Sequence, residues 1–236
     1  MDSLPTPPQP MSPPAVPPLV QAALDLLGPD VAVHQTSPGA PESGLYPEEL
    51  ASVGPMMPLR RREFSAGRRA ARRAMADLGI DAAPIPMSDD RSPIWPDGVI
   101  GTITHDSTTC LAAVAKPGTC IGLGLDIESD TGLDRNFFDA LLTRDEKDRV
   151  AHLPMQRQAF EAKLIFSAKE CAYKAQFRQS QVMFDFQTLE IEFIPDTDRF
   201  VATYQRGIDP FAIGDQLEGR YRRLEGWVLT AMRLPV

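Results

Sequence analysis

A chain of 236 residues with 43% hydrophobic content holds enough apolar material for a sizeable core, which excludes a peptide or an unfolded tail. Against 24 basic residues stand 32 acidic ones, a net charge of -8, so a general nucleic-acid-coating role lacks its electrostatic basis and any polyanion site must be local. The three cysteines, Cys110, Cys120 and Cys171, are odd in number and lack C-x-x-C spacing, which argues against a disulfide framework or a zinc site and for a reducing, cytoplasmic setting. No apolar run is long enough to span a membrane, and residues 1–18 lack the basic start and apolar core of a signal peptide.

Those 18 residues contain eight prolines and are expected to be extended or disordered. Helical spacing of Leu19, Val20, Ala23, Leu24 and Leu27 then predicts a helix from Pro18 to Leu27, stopped by Gly28-Pro29. Val31 to His34 reads as a strand and Pro47 as a helix start. Phe64, Ala71, Ala74, Met75 and Leu78 form one face of a helix over about 59–78, ended by Gly79. Its other faces carry seven of the chain's 19 arginines: Arg60, Arg61, Arg62, Arg68, Arg69, Arg72 and Arg73.

Further on, residues 98–105, 110–115 and 120–128 read as strands. Residues 133–153 read as helical, with Thr143 as a cap, and residues 160–177 as a long helix. Strands at 188–194, 199–204 and 226–234 close the series, the last two separated by a Gly- and Arg-containing segment. With no repeating βα unit, this order predicts an α+β fold.

Four features could carry chemistry. In Gly122-Leu123-Gly124-Leu125-Asp126-Ile127-Glu128, strand alternation sends the apolar residues to one face and both carboxylates to the other. The glycines leave the acidic face open to a close-approaching group, and a hard divalent cation between the carboxylates would relieve their repulsion. The same spacing in Glu190-Ile191-Glu192 suits an ordinary solvated strand, so it does not decide alone. Glu170 and Lys174 share a helix face, as a catalytic pair or a surface ion pair. The arginine helix offers forked donors to phosphate or simply a solvated face. His105, ending a strand beside hydroxyl residues, is either a phosphate donor or a structural histidine.

In order, Phe64-Ser65-Ala66-Gly67-Arg68-Arg69-Ala70-Ala71-Arg72-Arg73-Ala74, Trp95-Pro96-Asp97-Gly98-Val99-Ile100-Gly101-Thr102-Ile103-Thr104-His105, Gly124-Leu125-Asp126-Ile127-Glu128 and Phe166-Ser167-Ala168-Lys169-Glu170-Cys171-Ala172-Tyr173-Lys174-Ala175 resemble the motifs of the 4'-phosphopantetheinyl transferases. The likeness is to the larger, surfactin-type class and its enterobactin-synthetase component D branch, and covers about residues 45–195.

The resemblance implies a pseudo-twofold pair of similar α+β halves, 19–117 and 118–236, joined near residues 116–120 after the Pro-rich 1–18, with the active site in the cleft between them. It implies Mg2+-dependent transfer of phosphopantetheine from coenzyme A to a serine of an apo acyl or peptidyl carrier protein, by a cytoplasmic monomer with no nucleic-acid partner and no membrane span. Asp126, Glu128 and Glu170 match metal ligands, and Glu170 also the general base. Lys169 and Lys174 match lysines at the phosphates. Thr104 and His105 match contacts to the 3'-phosphorylated nucleotide; Arg60 and Arg68 match arginines gripping coenzyme A phosphates.

Three departures stand out. Thr102 replaces a serine, Asp106 puts a negative charge beside His105, and Asp89-Asp90 occupy a loop where relatives place a lysine, leaving Arg91 as substitute. The competing readings are a non-catalytic coenzyme A or nucleotide-binding regulator, which would lack some of the carboxylates, and a nucleic-acid-binding module, which would need a net basic surface.

Overall fold

The computed structural model describes residues 15–54 and 57–236; most of the Pro-rich start lies outside them. In chain order the elements are α1 (Pro18–Leu27), β1 (Val31–Thr36), α2 (Pro47–Val53), α3 (Pro58–Asp77), β2 (Ile100–His105), β3 (Cys110–Ala115), β4 (Gly122–Ser129), α4 (Phe138–Leu141), α5 (Arg144–Ala151), α6 (Met155–Ser180), β5 (Leu189–Phe193), β6 (Arg199–Tyr204), β7 (Gln216–Leu224) and β8 (Trp227–Leu234). The mixture is α+β, as expected. None of the described helices is long and apolar enough to cross a membrane, and all three cysteines are buried and free.

The strands form two antiparallel sheets, β1-β3-β2 and β4-β8-β7-β6-β5. β3 lies between two neighbours and is buried along its whole length, which suits its apolar, turn-free sequence. Ala70, Ala71, Ala74 and Met75 of α3 pack on Ala32, Ala112 and Val114 of the smaller sheet. Ala168, Cys171, Ala172 and Ala175 of α6 pack with Ile191, Ala202 and Met232 of the larger one. The remaining apolar faces meet in one shared core, where α1 joins Val31, Leu111, Leu125, Ile127 and Leu229.

One expectation is corrected. The segment between the strands 199–204 and 227–234 contains β7, paired on both sides. Arg220, Arg222 and Arg223 mask its alternation, and Gly219 is the small residue that fits beneath the Phe200 ring. The helical reading of 133–153 also resolves into shorter pieces: a turn of 3-10 helix, α4, and α5, which Thr143 and Glu146 open with a capping box.

Two buried glutamates brace the long helices. Glu49, in α2, accepts from the amides of Tyr46 and Ile85, both at 2.9 Å, and from Arg72 Nη1 of α3 at 2.6 Å. Glu146, in α5, accepts from the amides of Thr143 and Ile191 at 2.8 and 2.7 Å, and from Lys169 Nζ of α6 at 2.6 Å. Each is a buried charge whose lone pairs are met, the condition under which such a pair persists.

Candidate active site

A cleft of about 880 Å³ runs between β2, the loop 88–95, β4 and the outer face of α6. Its wall is apolar at Trp95, Phe166, Tyr173 and Phe184 and charged at Arg60, His105, Asp126, Glu128, Glu170 and Lys174.

β4 sets the charged part of the wall. Its Leu123, Leu125 and Ile127 enter the shared core, so Asp126 and Glu128 face α6, as alternation predicts. The group admitted by the glycines is the helix itself: a Cβ on Gly122 or Gly124 would come within 2.1 or 2.0 Å of the carbonyl oxygens of Ala175 and Cys171. β4 and α6 thus touch backbone to backbone, bringing strand and helix side chains to the same depth.

Asp126 is buried and fully engaged. Its Oδ1 accepts from Lys174 Nζ at 2.6 Å and Thr104 Oγ1 at 3.1 Å, and its Oδ2 from Ser167 Oγ at 2.9 Å. Thr104 in turn accepts from the Ile127 amide at 3.2 Å, tying β2 to β4. Glu128 accepts from Lys163 Nζ at 2.8 Å, while Glu170 lies 3.8 Å from Lys174 Nζ. Lys163, Ser167, Glu170, Lys174 and Arg178 follow one another at helical spacing, a single face of α6. Lys163 and Arg178 did not stand out in the sequence; one more turn outward from Ser167 and from Lys174 would have found them.

His105, at the end of β2, accepts through Nε2 from Arg60 Nη1 at 2.9 Å, and Arg60 also donates to Glu63 at 3.2 Å. Glu63 was not anticipated from sequence, although it sits one helical turn beyond Arg60. Arg91, with φ of 71°, lines the cleft from the loop that also carries Asp90.

Two expected phosphate contacts are otherwise occupied. Arg68 turns inward: its guanidinium stacks 3.6 Å from the centre of the Phe64 ring and donates to the carbonyls of Ile85 and Pro86 at 3.0 and 3.4 Å. Burial pulls its pKa down to about 10, leaving it charged at neutral pH. Lys169 is 1% exposed and donates to Glu146 and to the Leu141 carbonyl at 2.8 Å, so its ammonium serves as a strut. Asp106, next to His105 in the chain, is engaged as well. Its Oδ1 accepts from the amides of Thr108 and Thr109, both at 2.7 Å, and its Oδ2 from Trp227 Nε1 at 2.8 Å.

The same motifs are matched by known families. Residues 48–115 fit the 4'-phosphopantetheinyl transferase N-terminal domain, and residues 122–231 the 4'-phosphopantetheinyl transferase superfamily. The 4'-phosphopantetheinyl transferase Svp of Streptomyces mobaraensis is 33% identical over 201 residues, 83% of this chain and 81% of that protein. PptT of Mycobacterium tuberculosis, also named a 4'-phosphopantetheinyl transferase, is 31% identical over 215 residues, 87% of this chain and 92% of its own. This chain belongs to the 4'-phosphopantetheinyl transferase family. Enterobactin synthase component D of Escherichia coli is a further relative, 35% identical over 133 residues, 55% of this chain and 62% of that protein.

The charges of the transferase's cleft are strongly coupled. Burial raises the Glu170 carboxyl above its usual range; Lys174 opposes the shift and the charges of Asp126 and Glu128 add to it. Glu128 is raised in the same way, by burial and by Asp126, against the hydrogen bond from Lys163. For Lys174, burial disfavours the ammonium, but Asp126 and Glu170 more than offset it and raise its pKa. Three mutually repelling carboxylates are a donor set suited to a hard divalent cation. In this arrangement, however, lysines satisfy two of them, and no ready-made cage of three such donors exists among the described residues. The donor chemistry fits a cation, provided that an ammonium yields its place.

Proposed function

We propose that the transferase moves the 4'-phosphopantetheine group of coenzyme A to a serine hydroxyl of an apo acyl or peptidyl carrier protein, releasing 3',5'-ADP. The observation that carries this reading is the meeting of Asp126, Glu170 and Lys174 with the Arg60–His105 pair in one cleft. Arg60, His105 and Arg91 supply donors for the phosphates and Lys174 neutralises charge on the phosphate oxygens, while Thr104, whose one hydroxyl proton goes to Asp126, braces that carboxylate instead of reaching a phosphate. Glu170, raised by burial, takes the proton of the serine as its oxygen attacks phosphorus. Asp126, Glu128 and Glu170 would hold Mg2+, which when bound screens the pyrophosphate's negative charge.

The reading extends to the architecture. In each of the proposed halves, 19–117 and 118–236, a buried glutamate at the third position of a short helix accepts a cation from the long helix 23 residues further on: Glu49 from Arg72, Glu146 from Lys169. This repeated device favours a pseudo-twofold relation, although one sheet has three strands and the other five. Similarity to Svp, PptT and the enterobactin synthase components favours the larger, surfactin-type class and a role in siderophore, polyketide, peptide or lipid assembly.

The test is intact-mass spectrometry of apo carrier proteins incubated with the transferase, coenzyme A and Mg2+, beside Asp126→Asn and Glu170→Gln. A phosphopantetheine-sized gain that needs Mg2+ and both carboxylates supports the reading. No gain across fatty-acid, polyketide and peptide carriers defeats it.

A further inference from the structure

The two strand carboxylates are neutralised from within the protein, and the two lysines that do so are held differently. Besides Asp126, Lys174 Nζ reaches the Leu125 carbonyl and Thr104 Oγ1, at 3.4 and 3.5 Å. Lys163 Nζ makes one hydrogen bond among the described residues, to Glu128 Oε2. It also lies 5.9 Å from the centre of the Phe166 ring, a second resting place for an ammonium that lets go of the carboxylate.

We propose that Lys163 is a displaceable counter-ion that stands in for the divalent cation at Glu128 and sets how readily that cation binds. The proposal rests on the reading of Asp126, Glu128 and Glu170 as cation ligands. Lys163 sits one turn before Ser167 on the helix face that carries Glu170 and Lys174, so its ammonium enters the carboxylate group from the side opposite Lys174. Both members of the pair are mostly shielded, at 13% and 24% side-chain exposure, so bulk water does not dissolve the contact. An ammonium on Glu128 Oε2 and a doubly charged ion on the same carboxylate repel at that distance, so each disfavours the other. Binding is therefore an exchange: the ion enters, the ammonium withdraws towards Phe166, and the carboxylates stay neutralised in both states.

The test is Mn2+ binding, followed by electron paramagnetic resonance on the full chain without carrier protein. Lys163→Gln is expected to tighten Mn2+ binding about tenfold, Lys163→Arg to stay near wild type, and Lys147→Gln, which removes an equal charge from an exposed pair with Asp139, to change nothing. Thermal unfolding gives a second readout. In chelator Lys163→Gln melts below wild type, and it gains more from added Mn2+ because stabilisation follows ligand concentration over Kd. Equal affinity in wild type and Lys163→Gln overturns the proposal while leaving the cation site standing. Weaker binding in Lys163→Gln also overturns it, assigning the lysine to aiming Glu128. Failure of wild type to bind Mn2+ even with coenzyme A present overturns the cation reading and the proposal together.

Discussion

Gly124 lies directly beneath the carbonyl oxygen of Cys171, with no room for a methyl group between strand and helix. The contact fixes the distance between Asp126 and Glu170. Gly124→Ala must push α6 off β4, at a cost of about 1–3 kcal/mol or more because the obstacle is backbone. The variant is expected to show a lower denaturation midpoint and, in its folded fraction, a fall in kcat/KM larger than the rise in KM accounts for.

Lys169 is expected to behave as a structural residue. Lys169→Met leaves Glu146 charged and short of one partner, and should cost about 3–5 kcal/mol, while the double variant Lys169→Met, Glu146→Gln recovers much of it. The KM for coenzyme A of the folded Lys169→Met protein should stay within about twofold of wild type. A large rise in KM at unchanged stability would return Lys169 to the phosphates.

His105 has a pKa below its ordinary 6.5, first because it is buried and further because Arg60 and Lys174 stand nearby, against the pull of Glu63. Below pH 6.5 the unfolded chain therefore takes up a proton that the folded protein resists. Stability should fall as pH drops through that value and level off below the folded pKa, by up to about 1.4 kcal/mol per unit inside the window. A nuclear magnetic resonance titration of His105, and urea unfolding of wild type against His105→Gln between pH 5 and 8, check the midpoint and the sign.

Asp106 is held below the usual carboxylate range: burial opposes its charge, but bonds from Thr108, Trp227 and Thr109 prevail. Asp106→Ala should cost about 1–3 kcal/mol through the unmet Trp227 and turn donors. Coenzyme A affinity should hardly change, as measured by isothermal titration calorimetry. A clear gain in affinity would instead show that the charge reaches the phosphate site.

Much of the fold was legible where punctuation is strong. Gly28-Pro29 ends α1 as read, β3 runs over the residues its apolar run suggested, and Thr143 caps α5. β7 escaped because arginines fall on both of its faces and a glycine stands where an apolar residue would mark the inward one, which erases its alternation. In the cleft, spacing marked Asp126, Glu128, Glu170 and Lys174 as candidates, but it took the ordered run of family motifs to prefer them over solvated carboxylates and a surface ion pair. Lys169 could not be separated from Glu170, since neighbouring helix positions point about 100° apart and only the packing of α5 reveals which one turns inward. Arg68 illustrates the same limit: its fate depends on a loop that folds back over α3 to offer it two carbonyls.

β4 has one further property. Its odd-numbered residues from Leu123 to Ile127 fill the core common to both sheets, while Asp126 and Glu128 feed the cleft. Losing or gaining a single residue within it would exchange the two sets, driving carboxylates into dry packing and leucines into the reaction space. The strand can therefore tolerate substitution but hardly any change of length, so insertions and deletions in this enzyme should be confined to the loops on either side of it.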